Sequence, residues 1–381
     1  MPPLARKLAM LGGVLGYALL ALASGLDRAS ATQPEMAQWV PGFLAAEAHR
    51  AKAALALQSS AQAEAIAPAT QAVIADPINP RSTGLLGAAQ LANRQQVKAD
   101  RTFRVAARFG WRDPLTQLYF MNAALNAGQP RLAALRLDAV LRQAPRLPLR
   151  DMLIAQFTQA PDRRAALAER LALRPSWASA FVGEVAGVPL PQLEARASMV
   201  GSLARPAWGC AAVAPLVARM IELNAAPSAK QLWLAHCPAA SAGLSDPNFQ
   251  QVAFNRQPIP FDWNLMGSGD VSVQPDLAGL SVRVSGASPL PVAWQQMSLA
   301  PGRYKLSWTA QSGTKPALGA ELSLSCNPVG RSRPVTTAKD NRGRFEALVI
   351  VDAVCPAHFV TLWLAPGGED VRFSALAISR P

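Results

Sequence analysis

Residues 86–106, LGAAQLANRQQVKADRTFRVA, determine the structural class of the first half of the chain. Ala99, Phe103 and Ala106 follow one another at intervals of four and three positions, which places these side chains on one face of a helix. The pair Leu86-Gly87 lies upstream, in a helical stretch of its own. The segment therefore predicts two helices that pack through small and apolar residues.

The same arrangement recurs along the chain with a regular period. The four-and-three spacing is found twice more, in Ala65, Ala69 and Ala72 and in Ala133, Leu137 and Val140. Prolines that would close a helical stretch stand at intervals of 37, 31 and 30 residues, at Pro77, Pro114, Pro145 and Pro175. A period of this length indicates stacked helix pairs.

These residues resemble the tetratricopeptide repeat, in which a Leu-Gly pair on the first helix lets the second helix approach closely through a small residue. The resemblance implies a helical repeat domain over residues 45–240 that binds a protein partner. It extends over residues 45–150 and then degenerates, because Arg163 and Arg170 occupy two of the small positions. A non-repeating helical bundle is the alternative.

Residues 1–34 have the charge order of an export signal. Arg6 and Lys7 precede an uncharged stretch over residues 8–26. About 19 residues at a rise of 1.5 Å nearly cross a hydrocarbon layer of roughly 30 Å. The stretch predicts a single-pass anchor in a bacterial inner membrane, with the body of the protein in the periplasm. A cleaved signal peptide is the alternative, since small-residue cleavage patterns end at Ala23 and Ala31.

The four cysteines fall into two local pairs. Cys210 and Cys237 lie 27 residues apart, and Cys326 and Cys355 lie 29 residues apart. Neither pair has the spacing of a zinc site. In the oxidising periplasm the sequence predicts two disulfides, each within one domain. Four buried free thiols are the alternative.

Part of the net charge of +13 is concentrated on the helix that contains Phe103. Arg101, Arg104 and Arg108 share the face opposite Phe103 and form what we call the arginine stripe. The stripe is either a solvated helix face or a docking surface for an acidic partner, which could be anionic lipid, an acidic polysaccharide or an acidic protein. Nucleic acid is not expected, because the body is predicted to be exported and the stripe has no interleaved aromatic residues.

After Pro238 the periodicity changes from 3.6 to 2, which predicts a separate domain over residues 241–381. The alternating segments are Leu280–Val284, Tyr304–Trp308, Leu322–Cys326, Phe345–Val351, Phe359–Leu364 and Val371–Ile378. Six or more short strands in about 130 residues are typical of an antiparallel β-sandwich. The fold class predicted for the whole chain is a membrane segment, then a helical array, then a sandwich.

The second domain resembles the jelly roll of carbohydrate-binding modules and galactose-binding-like domains. The residues that carry the likeness are the opening segment Phe261–Leu265, the turn Leu299–Tyr304 and the last strand. The resemblance implies a glycan site built on a flat aromatic side chain, for which Trp263 and Trp294 are the candidates. Trp308 alternates with Leu306 and Tyr304, so it is expected in the core.

The sequence contains no motif that specifies catalysis, a cofactor or a metal. The three histidines, His49, His236 and His358, stand in separate segments without a partner at motif spacing. We therefore predict an adaptor without cofactors, not an enzyme, acting in cell-envelope or surface-polysaccharide assembly. The alternatives are a periplasmic glycan-processing enzyme, for which Asp262 and Asp270 are the first carboxylate pair to test, and a purely structural sandwich.

Overall fold

The computed structural model describes residues 3–59, 61–145, 147–203, 208–237, 243–252, 259–327, 337–339, 344–352, 355 and 357–381. Helices occupy the first part of the chain and antiparallel sheets the second, as the sequence predicts. Pro238, at the predicted domain boundary, lies outside the described residues.

The described helices follow one another with short connections. They are α1 Pro3–Ala29, α2 Ala46–Gln58, α3 Ile66–Ala75, α4 Pro80–Ala92, α5 Gln96–Arg108, α6 Pro114–Asn126, α7 Pro130–Gln143, α8 Arg150–Thr158, α9 Pro161–Leu171, α10 Ala178–Gly183, α11 Leu190–Gly201, α12 Cys210–Glu222 and α13 Ala226–His236. Three short 3₁₀ turns are Pro34–Trp39, Gly42–Leu44 and Gln62–Ala65.

Helices α2 to α7 pack in consecutive pairs, α2 with α3, α4 with α5 and α6 with α7. The close approach expected at Gly87 is present, since an added Cβ would lie 3.0 Å from the ring of Phe103. The nearest neighbour is thus an aromatic ring and not the small residue that the repeat pattern suggests. Ala99, Phe103 and Ala106 are all buried, as their spacing predicts.

The four prolines that gave the repeat period stand in two kinds of position. Pro77, Pro145 and Pro175 stand between helices, as expected. Pro114, in contrast, is the first residue of α6, directly after its N-cap Asp113. Proline is well tolerated there because the first amides of a helix have no partner within it. The prediction that Pro114 closes a helix is therefore wrong.

The chain divides into two compact units. The first consists of Met1–Arg170 with Pro175–Trp177, and the second of Leu171–Arg174 with Ala178–Pro381. The second unit therefore contains α10 to α13 as well as the strands. Secondary structure changes from helix to strand after α13, while the domain boundary near residue 240 stays a prediction.

The strands form two antiparallel sheets. They are β1 Trp263–Leu265, β2 Val271–Asp276, β3 Gly279–Val284, β4 Leu290–Met297, β5 Gly302–Ser312, β6 Lys315–Pro316, β7 Ala320–Ser325, β8 Thr337–Lys339, β9 Arg344–Val351, β10 His358–Leu364 and β11 Val371–Ser379. One sheet has the order β1-β4-β10-β7, and the other has the order β2-β3-β11-β5-β9-β8 with β6 beside β5.

Side chains of both sheets belong to one hydrophobic core. Leu306, Trp308 and Phe373 come from the larger sheet, and Leu322 and Leu362 from the smaller one. Trp308 stacks on Phe345 with ring centroids 5.5 Å apart, which confirms its expected place in the core. Every strand that alternation predicts is present, whereas β2, β4 and the short strands β6 and β8 were not anticipated.

Both predicted cysteine pairs are at disulfide distance. The Cα atoms of Cys210 and Cys237 lie 5.0 Å apart, where the first residue of α12 meets the end of α13. The Cα atoms of Cys326 and Cys355 lie 5.3 Å apart, near the ends of β7 and β10, which are neighbours in the sheet. Each bond thus joins elements that also pack together.

Helix α1 contains the one described segment that is long and apolar enough to cross a membrane. This segment is Met10–Ala29, with a mean hydropathy of 1.5. Its large side chains from Met10 to Leu22 are exposed. The segment fits either a membrane anchor or a signal sequence.

The disulfides give the first testable prediction. Replacing Cys326 and Cys355 together by Ala should lower the free energy of unfolding of the second unit by about 3 to 4 kcal/mol. The disulfide closes a loop in the unfolded chain, which therefore loses less conformational entropy when it folds. Chemical denaturation of the full chain measures the loss. Peptide mapping without reductant should link each cysteine to the partner named above, and recovery of four alkylatable thiols would contradict both the pairing and the oxidising compartment.

Candidate functional site

Helices α2, α4 and α6 line a concave surface of the first unit, which we call the helical groove. It has two adjoining clefts, of about 270 and 550 Å³, which share Leu115 of α6. The smaller cleft lies at the start of the three helices, between Glu47, Arg81 and Asp113. The larger cleft lies further along α4 and α6 and reaches Phe103 of α5.

Asp113 shapes the smaller cleft. Its carboxylate accepts hydrogen bonds from the backbone N–H and the hydroxyl of Thr116 and thereby caps α6. Burial raises the pKa of Asp113, although the bonds from Thr116 oppose the shift. A Cβ at Gly84 would overlap this carboxylate, so α4 can approach the start of α6 only because residue 84 has no side chain.

Arg50 forms the buried polar part of the smaller cleft. Its guanidinium donates to both carboxylate oxygens of Glu47, at 2.6 and 3.0 Å, and to the hydroxyl of Ser82 at 2.7 Å. A further bond of 3.2 Å reaches Asp76, after α3. Arg50 therefore ties α2 to α3 and α4, and its charge is neutralised by the fold itself. Arg81 is exposed at the mouth of the cleft.

The larger cleft combines an aromatic wall with amide side chains. Tyr119 stacks on Phe103 with ring centroids 4.2 Å apart and an angle of 15° between the rings. Its hydroxyl donates a 3.0 Å hydrogen bond to Asp100, and burial together with this bond raises the pKa of Tyr119. Four amide side chains also line the cleft, those of Gln62, Gln96, Asn122 and Asn126.

The arginine stripe lies on α5, with all three side chains exposed as predicted. Its members are not equivalent. Arg104 pairs with Asp100 one turn earlier, at 2.8 Å, whereas no carboxylate pairs with Arg101 or Arg108 in the part of the chain that the structure describes. Two exposed, unneutralised charges remain for an acidic partner.

The two glycan candidates lie in different surroundings. Trp263 is only 2% exposed, packs on Phe249 and donates its indole N–H to the carbonyl of Asp246. Its ring is enclosed in the core, so it offers no face on which a sugar could stack. Trp294 of β4 is half-buried, and its ring meets Phe359 of β10 edge to face at 5.5 Å.

His236 has a structural role, because both of its ring nitrogens are hydrogen-bonded to the backbone. His236 is buried, accepts a hydrogen bond from the backbone N–H of Trp208 at Nδ1 and donates from Nε2 to the carbonyl of Val200. Burial lowers the pKa of His236, although the bond to Val200 opposes the shift. Among the described residues, no group of three or more His, Cys, Asp or Glu side chains could hold a metal ion.

Lys230 and Asp262 are the most unusual charged pair of the second unit. Lys230 of α13 is 7% exposed, and its ammonium lies 4.4 Å from the ring centroid of Phe261. Burial lowers the pKa of Lys230 to about 8, although Asp262 opposes the shift. Burial also raises the pKa of Asp262. Lys230 opposes this increase, whereas Asp246 adds to it. Asp262 thus has a lysine neighbour, and its pairing with Asp270 stays untested.

Comparison of the chain with models of protein families and with curated proteins finds no match.

Sequence reasoning identified the arginine stripe and Trp294 but missed the groove. Two local signals could have located it, Asn79-Pro80 and Asp113-Pro114, each an N-cap followed by proline at the first helical position. These pairs mark the beginnings of α4 and α6, which together line the smaller cleft. The stacking of Tyr119 on Phe103 had no such signal.

The close approach at Gly84 can be tested by adding one methyl group. Gly84→Ala should destabilise the first unit by about 1 to 3 kcal/mol, because the methyl group displaces the Asp113 carboxylate from its capping position. Thermal unfolding of the full chain, followed by circular dichroism, measures the effect. Gly201→Ala is the matched control, since its nearest neighbour lies 4.0 Å away. Equal stability of both variants would show that α4 and α6 are not in close contact.

Lys230 makes stability depend on pH in a defined direction. Its folded pKa of about 8 lies below the ordinary 10.5, so the cost of burying the charge is complete below pH 8 and disappears as the pH rises towards 10.5. Lys230→Met should therefore raise the Tm at pH 7, and this gain should shrink between pH 8 and 10.5. Lys52→Met, at an exposed lysine, serves as control. A gain that does not change with pH would contradict the assignment.

Proposed function

We propose that the chain is a single-pass membrane adaptor whose periplasmic body holds a protein partner in the helical groove. The observation that carries this proposal is the contact between the end of α1 and the start of α2, both in the first unit. The carboxylate of Asp27, near the end of α1, accepts hydrogen bonds from the backbone N–H groups of Glu47 and Ala48 at 3.2 and 2.8 Å. It therefore caps α2, the first helix of the groove.

The junction argues against cleavage after Ala31, whereas cleavage after Ala23 would leave Asp27 and Ser30 in place. Cleavage after Ala31 would remove Asp27 and leave the start of α2 without its cap. It would also remove Ser30, which is completely buried in the first unit. A segment that contributes buried and capping side chains to the body is expected to remain attached to it.

The groove has the chemistry of a site for an extended polypeptide. Side-chain amides donate and accept hydrogen bonds, so the four amides of the larger cleft can pair with the N–H and C=O groups of a bound chain. Phe103 and Tyr119 supply an apolar wall for a side chain of that segment. Arg81 at the mouth of the smaller cleft favours an acidic partner, and Arg101 and Arg108 add positive charge on the face of α5 opposite Phe103.

The second unit supplies the other half of the proposal. We infer that the two sheets form a jelly-roll sandwich that contacts a glycan at Trp294, and that the adaptor serves cell-envelope or surface-polysaccharide assembly. The support is the aromatic pair of β4 and β10, since Trp294 and Phe359 are both half-buried and meet edge to face. A partly exposed aromatic ring offers an apolar face on which the C–H groups of a sugar can pack.

Photo-crosslinking in intact cells tests the groove. A benzoylphenylalanine residue at Asn122, which is exposed in the larger cleft, should yield a protein adduct, whereas the same residue at exposed Ile74 of α3 should not. Adding Arg101→Gln and Arg108→Gln should reduce the adduct and its sensitivity to salt, because fewer ion contacts are then screened. These exposed changes should leave folding intact.

The outcome at each position separates the interpretations. An adduct at Ile74 but not at Asn122 would overturn the groove as the binding site. An adduct at Asn122 that is unaffected by the two arginine changes would leave the groove in place and identify the stripe as a solvated helix face.

A further inference from the structure

The connection between α1 and α2, residues 34–44, exposes two aromatic side chains. Trp39 is 69% exposed and Phe43 is 76% exposed. The opposite side of this connection is packed, because Ala37 forms a small core with Ala45 and Ala48, against which Val40 lies. The backbone is thus held in place while the two largest side chains point away from the protein.

This connection folds back along the end of α1. Ala23, Asp27 and Ser30 are spaced by four and three residues, so they share one face of that helix. Ala23 is 8% exposed and Ser30 is buried, although Leu22 next to them is 63% exposed. The elements that contact α1 are the two 3₁₀ turns of the connection and α2. Residues 34–44 therefore lie level with the last two turns of α1.

The length of α1 places these turns at the edge of a bilayer. The apolar segment Met10–Ala29 has 20 residues, which at 1.5 Å per residue cover about 30 Å, the thickness of the hydrocarbon layer. The last two turns then lie at the boundary between acyl chains and headgroups. Tryptophan in particular prefers that boundary, where an amphipathic ring meets both phases.

We propose that Trp39 and Phe43 insert into the headgroup boundary of the membrane that α1 crosses, so that the first unit is fixed against the lipid surface. The partner of this surface is lipid, because the aromatic pair continues the exposed apolar surface of α1. The proposal rests on the proposed function in one respect, the insertion of α1. A hinge-like linker would need an unpacked connection, whereas here the Asp27 cap and the alanine core hold it to α2.

A fluorescent label at residue 43 tests the position of the connection. The full chain carrying Phe43→Cys is labelled with an environment-sensitive nitrobenzoxadiazole group and placed in phosphatidylcholine nanodiscs. Two further variants provide the references, Val14→Cys in the middle of the apolar segment and Val97→Cys on α5, where the native side chain is 67% exposed. Nitroxide-bearing lipids with the spin label at a shallow or a deep acyl position serve as quenchers.

The expected result is a blue-shifted emission at residue 43 that loses more intensity to the shallow quencher than to the deep one. The label at residue 14 should respond more to the deep quencher, and the label at residue 97 should emit as in water. A label at 43 that behaves like the one at 97, while 14 is quenched, would overturn the interfacial contact and leave the anchor intact. Water-like emission at 14 would overturn the anchor itself. Trp39→Cys repeats the measurement if Phe43→Cys misfolds.

Discussion

The carboxylate of Asp27 is the interaction on which the arrangement of the first unit depends. It belongs to the apolar helix α1, yet it caps α2, twenty residues further along the chain. The first amides of a helix have no partner of their own, so a carboxylate placed there satisfies them and interacts favourably with the helix dipole. The bond ties the end of the apolar helix α1 to the start of α2. The apolar helix and the helical array are thereby joined within the first unit.

Beyond that junction, the helical groove depends on the absence of side chains. Gly84 and Gly87 lie one turn apart on α4, one against the Asp113 carboxylate and the other against the Phe103 ring. A methyl group at Gly84 would push α4 away from the start of α6, and one at Gly87 would push it away from α5. The buried Arg50 then links the starts of α2 and α4 through Glu47 and Ser82. A rigid concave surface with few flexible elements loses little entropy when it binds a partner.

Sequence patterns predicted several elements whose two faces differ, although β2, which also alternates between buried and exposed residues, was missed. Helix α5 and the strand β9 each expose one face and bury the other, so their periods of 3.6 and 2 are visible in the sequence. Strand β4 was missed because it is largely covered on both faces and its residues do not alternate. The cap from Asp27 and the Tyr119–Phe103 stack are contacts between elements, which no local pattern encodes. The exposure of the arginine stripe followed from helix periodicity, whereas the caps at Asn79 and Asp113 mark only where α4 and α6 begin and not the contacts that form the groove.

The two surfaces of the array are also connected by a chain of contacts. Tyr119 lines the larger cleft, its hydroxyl donates to Asp100, and Asp100 pairs with Arg104 of the stripe. Arg104 is therefore occupied within the fold, which leaves Arg101 and Arg108 as the stripe members available to an acidic partner. A ligand that moves Tyr119 would loosen Asp100 and with it the position of Arg104. Since an exposed pair of this kind contributes only about 0.3 to 0.5 kcal/mol, such a change would release the Arg104 side chain without threatening the fold.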